Sequence, residues 1–250
     1  MTRSPIAVLL ASSALLTSCA STEDRSVRVR ADAAFGGGKL EHTTKGTSLD
    51  DEATAAYFAF GAEAIGSQGM GGGLRVETLT SDDDLFLGLG AGTPAQAFDS
   101  EVFLHGTGVL GGDDTLVPIR FGLFFRNYTL ESVASGSELS WLSFGPKVEA
   151  TPDFALTSND TVRWSMTGRF GLGAGTTVVE DDALAQEFDT TMVQVDLGVG
   201  TRLQFETLRL DVGWLHRRTN YAESDVAASL TVLEADSTFS GFTFSLGATF

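Results

Sequence analysis

Apolar and polar positions alternate with a period of two along most of this chain. In the last ten residues Phe242, Phe244, Leu246 and Ala248 lead to the terminal Phe250, and Gly241, Thr243, Ser245, Gly247 and Thr249 lie between them. A strand puts those two sets on opposite faces. Upstream, Val27, Val29, Ala31, Ala33 and Phe35 oppose Arg28, Arg30 and Asp32, and Ala56, Phe58, Phe60 and Ala62 oppose Ala59, Gly61 and Glu63. Residues 73–80 set Leu74 and Val76 against Arg75 and Glu77. Residues 100–110 alternate least well, with Val102 and Leu104 against His105. Val117, Ile119, Phe121, Leu123 and Phe125 then share a face opposite Arg120, Gly122 and Arg126. Leu142, Phe144 and Val148 do so opposite Ser143, Gly145, Lys147 and Glu149. Three more segments, 162–172, 193–205 and 208–214, repeat the pattern, giving ten predicted strands.

Several of these segments exceed the ~5–6 residues usual in soluble sheets and reach the ~9–11 needed to cross a bilayer at a tilt. So many long strands would expose long unpaired edges unless the sheet closes on itself. The prediction is an all-β fold: a closed antiparallel up-and-down transmembrane β-barrel of about ten strands, with eight as the alternative count. The connections agree. Short turns at 66–71, 111–114 and 206–207 alternate with longer, acidic loops around Asp50-Asp51-Glu52, Asp82-Asp83-Asp84, Glu180-Asp181-Asp182 and 223–236. In outer-membrane barrels the short turns face the periplasm. Residues 152–160 are the exception, a long segment on the short-turn side. Leu85 to Leu89 also alternates and is expected to be part of a folded loop.

The face opposite the apolar one carries Arg75, Glu77, Arg120, Arg126, Arg163, Arg169, Asp196, Arg202, Arg209 and Asp211. A cation facing lipid at mid-bilayer costs ~2–4 kcal/mol, so this face is expected to line the lumen. There the charges either fill the interior by pairing with one another or form a constriction that selects anions. Interior glycines such as Gly171 and Gly198 would leave room for long side chains. Trp164, Phe205, Trp214, Phe239 and Phe250 lie toward strand ends and are expected in interfacial girdles.

Charge and composition exclude other classes. The formal net charge is −17, too acidic for a nucleic-acid binder. The three histidines are scattered, no metal-ligand spacing or Gly-x-Ser-x-Gly elbow occurs, and no enzyme, cofactor or metal centre is expected. The acidic loops could hold divalent cations by their carboxylates, although none has a calcium-loop spacing. Arg3 followed by the apolar run Ile6 to Leu16 reads as an export signal, too short to span a bilayer. The expected organisation is a signal peptide at 1–18, a tether at 19–26 and a barrel at 27–250.

Two short stretches carry a resemblance. The alternating segment with Gly241, Phe242, Phe244, Leu246 and terminal Phe250 resembles the C-terminal assembly signal of bacterial outer-membrane β-barrel proteins. That likeness implies outer-membrane lipid and the barrel-assembly machinery as partners. Leu16-Thr17-Ser18-Cys19 resembles the bacterial lipoprotein lipobox, which implies acylation of Cys19, the sole cysteine of the sequence. Ordinary cleavage after Ala20 is the other reading of the same residues. The expected function is an outer-membrane barrel with a structural or surface-interaction role in the cell envelope. A narrow small-solute channel and a soluble, lipid-tethered, lipocalin-like binding barrel are the alternatives.

Overall fold

The structure is a computed structural model that describes residues 27–45, 50–82, 85–87, 93–112, 114–133, 136, 138–158, 161–181, 186–225, 231–232 and 234–250. Its strands in chain order are β1 (Arg28–Thr44), β2 (Asp50–Ile65), β3 (Met70–Ser81), β4 (Leu85–Leu87), β5 (Thr93–Gly111), β6 (Thr115–Ser132) and β7 (Glu138–Ala150). They continue with β8 (Asp153–Ser158), β9 (Val162–Asp181), β10 (Gln186–Phe205), β11 (Leu208–Tyr221), β12 (Ser224–Asp225), β13 (Thr231–Val232) and β14 (Ala235–Thr249). The long strands pair antiparallel in chain order, and β1 pairs with β14 from Arg30 opposite Thr249 to Thr44 opposite Ala235. The ring so formed is a closed up-and-down transmembrane barrel of ten staves. Closure leaves the wall without an edge, so the ladder satisfies the backbone groups that hydrocarbon cannot. The proposed signal peptide, Cys19 and the tether lie outside the described residues.

Two expectations about the course of the staves need correction. Residues 152–160 are not simply a turn. β7 stops at Ala150, and β8 carries the same stave downward, between Thr115 and Leu116 of β6 on one side and residues 163–167 of β9 on the other. Pro152, which has no N–H to give to the ladder, marks the break. The parity survives it: Asp153 is buried in the lumen while Phe154 and Leu156 face out. Likewise Leu85 to Leu87 form β4, paired with Thr93 to Ala95 of β5, so they extend the stave of β3 upward. Neither change alters the even count. Between β10 and β11 the turn is Glu206-Thr207 alone. Glu206 takes φ 39°, in the left-handed region that a two-residue turn between right-twisted strands favours.

Apolar side chains line the outer wall, among them Phe58, Phe121, Phe170, Val199 and Phe242, each more than half exposed. On this face Phe35 lies 5.1 Å from Phe244 and Phe125 4.8 Å from Phe144, measured between ring centroids. Trp164, Phe205, Trp214 and Phe250 are on it as well. Phe239 is not. It points inward, is 2% exposed and stacks on Tyr57 with ring centroids 5.9 Å apart.

Phe239 belongs to a reversal of the pattern near the long-loop end. On β1 the outer face runs Val29, Ala31, Ala33, Phe35 and then Lys39 and Glu41, while the inner face runs Arg30, Asp32, Ala34 and then Leu40 and His42. On β10 the outer face changes from Val193 to Thr191 and Glu187, and the inner face from Gln194 to Met192. A 20-residue strand such as β10, rising ~3.3 Å per residue and tilted about 40°, stands roughly 50 Å tall against an apolar band of about 25 Å. The barrel therefore outgrows its lipid belt. Above the belt it is built as a water-soluble barrel, polar outside and dry inside.

The belt predicts a depth-dependent cost. Val199→Arg, at mid-belt on β10, should lower unfolding stability in lipid vesicles by ~2–4 kcal/mol, whereas Thr191→Arg, above the belt on the same face, should leave it nearly unchanged. Equal losses in a denaturant titration would contradict this placement of the belt.

Candidate functional site

The lumen is filled in three storeys. The top storey is apolar and aromatic: Leu40, Tyr57, Leu79, Leu85, Tyr128, Leu130, Trp141, Val179, Met192, Tyr221 and Phe239 are all buried there. Tyr128 packs against Trp141 with ring centroids at 5.4 Å, Trp141 against Tyr221 at 5.6 Å and His42 against Tyr128 at 5.7 Å. The Tyr128 hydroxyl and His42 Nδ1 are 3.1 Å apart and hydrogen-bonded. Rings from four staves thus meet across the barrel and close it. Tilted and offset ring pairs of this kind add to the burial of their own area.

Directly beneath lies the charged storey. Arg126 grips Asp99 in a bidentate pair, its Nε donating to Oδ1 at 2.8 Å and its Nη2 to Oδ2 at 2.7 Å. It also donates to Gln194 Oε1 at 3.0 Å and to Thr219. Lys147 bridges Glu101 at 2.5 Å and Asp196 at 2.9 Å. Arg217 donates to Asp196 at 2.7 Å and to Glu77. Arg169 reaches three carboxylates: Glu149 at 2.8 Å, Glu77 at 2.9 Å and Asp196 at 3.3 Å. Arg75 closes the set at 3.2 Å from Glu149. Its Nε lies 2.6 Å from Glu77 but is too poorly angled for a hydrogen bond. Glu149 and Asp196 are 0% exposed and Arg126 is 1% exposed, so these ions meet one another and almost no water.

The glycines on the neighbouring staves make that density attainable. A Cβ on Gly171 would stand 3.0 Å from the Asp196 side chain, and one on Gly198 3.2 Å from Arg169 Cβ. Both sites are lumen-facing, and a methyl group at either would press on a charged side chain that has no room to retreat.

The bottom storey is looser. Arg120 holds Glu63 by two nitrogens, at 3.1 and 3.2 Å, and reaches Thr151 at 3.0 Å. Arg202 joins Asp211 and Asp153, both at 2.6 Å, and Arg163 lies 3.3 Å from Asp153. Arg209 sits 3.1 Å from Asp211 and 3.4 Å from Asp32. A cavity of about 180 Å³ opens among these groups, toward the end where the short turns lie.

All ten of the lumen charges singled out in the sequence thus line the interior, Arg75, Glu77, Arg126, Arg169 and Asp196 in the middle storey and Arg120, Arg163, Arg202, Arg209 and Asp211 in the lower one. The structure adds Asp99, Glu101, Asp153 and Arg217, which alternation did not single out. Asp99 and Glu101 fall in the poorest alternating segment, and their shared parity with Phe103 and His105 is the signal that could have found them. Arg217 lies beyond Trp214, where the ninth segment was expected to end. The assembly-signal residues Phe242, Leu246 and Phe250 face outward, Phe244 packs on Phe35 on that face, and Gly241 faces the lumen. Of the acidic loop residues, Asp83, Asp84 and Asp182 lie outside the described residues. Among the described residues no group of three His, Cys, Asp or Glu side chains is placed to hold a metal ion.

No protein-family model matches the sequence, and no curated protein sequence does. Solved structures do resemble it. The outer-membrane protease OmpT from Escherichia coli aligns with a TM-score of 0.52 at 11% identity, over 94% of this chain and 99% of that one. The translocator domain of the autotransporter NalP from Neisseria meningitidis aligns with a TM-score of 0.46 at 10% identity, over 97% and 95%. Neisserial surface protein A aligns with a TM-score of 0.36 at 12% identity, over 91% and 100%. The likeness to OmpT is one of fold: the barrel wall is shared.

The buried network sets its own test. Asp196→Asn leaves Lys147, Arg217 and Arg169 short of a carboxylate in a dry interior and should cost ~3–5 kcal/mol, the usual penalty for breaking a buried ion set. Lys39→Met removes the exposed pair with Glu52 on the outer face and should leave stability unchanged. Chemical unfolding of both variants in the same detergent measures the contrast.

Proposed function

We propose that the chain is a closed, non-conducting β-barrel of the bacterial outer membrane. Its role is structural or surface-facing: the lipid belt anchors it, and the portion standing above the belt presents its acidic loops to the exterior. One observation carries the reading. The lumen is blocked twice, by a network of paired ions in which Glu149 and Asp196 have no exposed surface and by an aromatic layer over them. For a hydrated solute to pass, both storeys would have to come apart, and separating buried ion partners costs several kcal/mol per ion.

The remaining parts of the proposal follow the sequence. The N-terminal segment exports the chain, Cys19 carries a lipid in the inner leaflet of the same membrane, and the C-terminal strand is the part read by the barrel-assembly machinery. A lipid at Cys19 and the short turns then lie on one side, which is the geometry an even number of staves imposes. Divalent cations would bridge the acidic loops by their carboxylate oxygens. The proposal assigns the chain no catalytic step. The inward-facing apolar strands of a lipocalin-like barrel are not what supports it, since Phe121, Phe170 and Phe242 lie on the outer wall.

Planar-bilayer recording tests the reading. Purified barrel should insert without discrete openings in molar salt, because neither storey leaves a wet path. Steady single-channel steps from the wild-type protein would replace the closed barrel with the channel.

A further inference from the structure

Among the described residues the buried and half-buried charges of the lumen balance storey by storey, with one exception. In the middle storey Arg75, Arg126, Lys147, Arg169 and Arg217 meet Glu77, Asp99, Glu101, Glu149 and Asp196, each within an ion pair. In the lower one Arg120, Arg163, Arg202 and Arg209 meet Glu63, Asp153, Asp211 and Asp32. Arg30 is left over. Among the described residues it forms no ion pair; burial takes it partly out of water, Arg209 is the strongest charge acting on it, and Glu63, opposite it in the ladder, acts against Arg209 more strongly than Arg202 or Arg120 adds to it. With three guanidinium groups about it and one carboxylate opposite, Arg30 sits in a field of net positive charge in a partly dry mouth, which is unfavourable unless a further negative charge joins it.

Arg30 lines the lower cavity together with Arg120, Arg202 and Arg209 and with two carboxylates, Asp32 and Asp211, each already paired with Arg209; Tyr57, Arg75 and Arg169 roof it. The cavity has no route upward, because the paired ions and the aromatic layer close the barrel above it, so it is entered from the short-turn side. Its volume of about 180 Å³ suits one small ion and a few waters, each water taking roughly 30 Å³. It is too small for a headgroup with its acyl chains. Guanidinium forks match the oxygens of phosphate, sulfate and carboxylate.

We propose that the periplasmic mouth of the barrel is a binding site for one small free oxyanion of the phosphate class, held by Arg30 and supported by the guanidinium groups of Arg120, Arg202 and Arg209. The ion neutralises a cation of the mouth that has no ion-pair partner among the described residues. It therefore binds to the folded barrel and not to the unfolded chain, and it should stabilise the barrel by mass action.

The experiment is a calorimetric titration of inorganic phosphate into the full-length protein, folded in uncharged alkyl-glucoside micelles at fixed ionic strength. A saturable, one-site isotherm is expected, together with a rise in melting temperature with phosphate. Arg30→Gln should weaken binding by about 10- to 100-fold, the loss of one charge-assisted contact of ~1.5–3 kcal/mol. Lys39→Gln, on the outer wall, should bind as the wild type does. Adding phosphatidic acid to the micelles in place of phosphate should give no shift, and competition by that lipid would assign the site to a headgroup instead and overturn the free-ion proposal. Absence of saturable binding to the wild type, or equal binding by folded Arg30→Gln, also overturns it. Should Arg30→Gln fail to fold, the wild-type isotherm alone decides. Channel activity would refute the closed barrel and leave an Arg30-dependent isotherm standing.

Discussion

Hydrocarbon cannot solvate a charge, and nearly everything in this barrel follows from that constraint. Each arginine within the belt must turn inward, and once inside it must find a carboxylate, because the interior of a ten-stave barrel packed with side chains holds little water. Most of the ion pairs join different staves: Arg169 on β9 reaches β3, β7 and β10, and Arg217 on β11 reaches β3 and β10. Long-range ion pairs therefore lock the register that the hydrogen-bonded ladder permits. A one-residue slip of β6 or β9 would carry its arginines to the lipid and its phenylalanines to the network. The network stabilises this one arrangement chiefly by making the alternatives costly.

The same strands obey a second solvent above the belt. There water takes the place of lipid, so Lys39, Glu41, Glu52 and Arg218 stand on the wall, and Leu40, Tyr57, Trp141 and Tyr221 fill the inside. The two halves meet where Tyr57 donates to Glu77 at 2.8 Å, a phenol with its ring in the apolar storey and its hydroxyl in the charged one. Burying the aromatic rings keeps water off the ion pairs below, which strengthens them. The ion pairs in turn give the few polar atoms of the rings somewhere to point. Closure of the lumen is thus a product of both storeys, and the mouth beneath them is left as the wet part of the interior.

Much of this was legible in the alternation. The ten staves, the side that meets lipid and the even count can be read from residues such as Val117 to Arg126, because period two survives any length of strand. What the pattern hides is which solvent each face meets. At Lys39 and Leu40 the period continues but the apolar side changes hands, and a reading of hydrophobicity alone ends the strand at Phe35, nine residues early. The same reversal conceals Phe239 and the upper part of β11, where the consecutive Arg217 and Arg218 point to opposite sides of the wall. Pro152 hides the lower part of the sixth stave for a different reason: a residue without an N–H reads as a turn, although here it marks a break in a stave that β8 resumes. The surplus of Arg30 is invisible in sequence, since pairing depends on which staves face one another across the lumen.

The exchange of solvents along a single face is the claim on which the height of the barrel, the dry cap and the closed lumen all rest. Spin labels placed one at a time on the outer face of β10, from Glu187 through Thr191 and Val193 to Phe205, would measure it directly in reconstituted vesicles. Accessibility to oxygen should exceed that to a water-soluble nickel chelate from Val193 to Phe205, and the order should reverse at Thr191 and Glu187. A uniform profile along the strand, wet throughout or greasy throughout, would contradict the account.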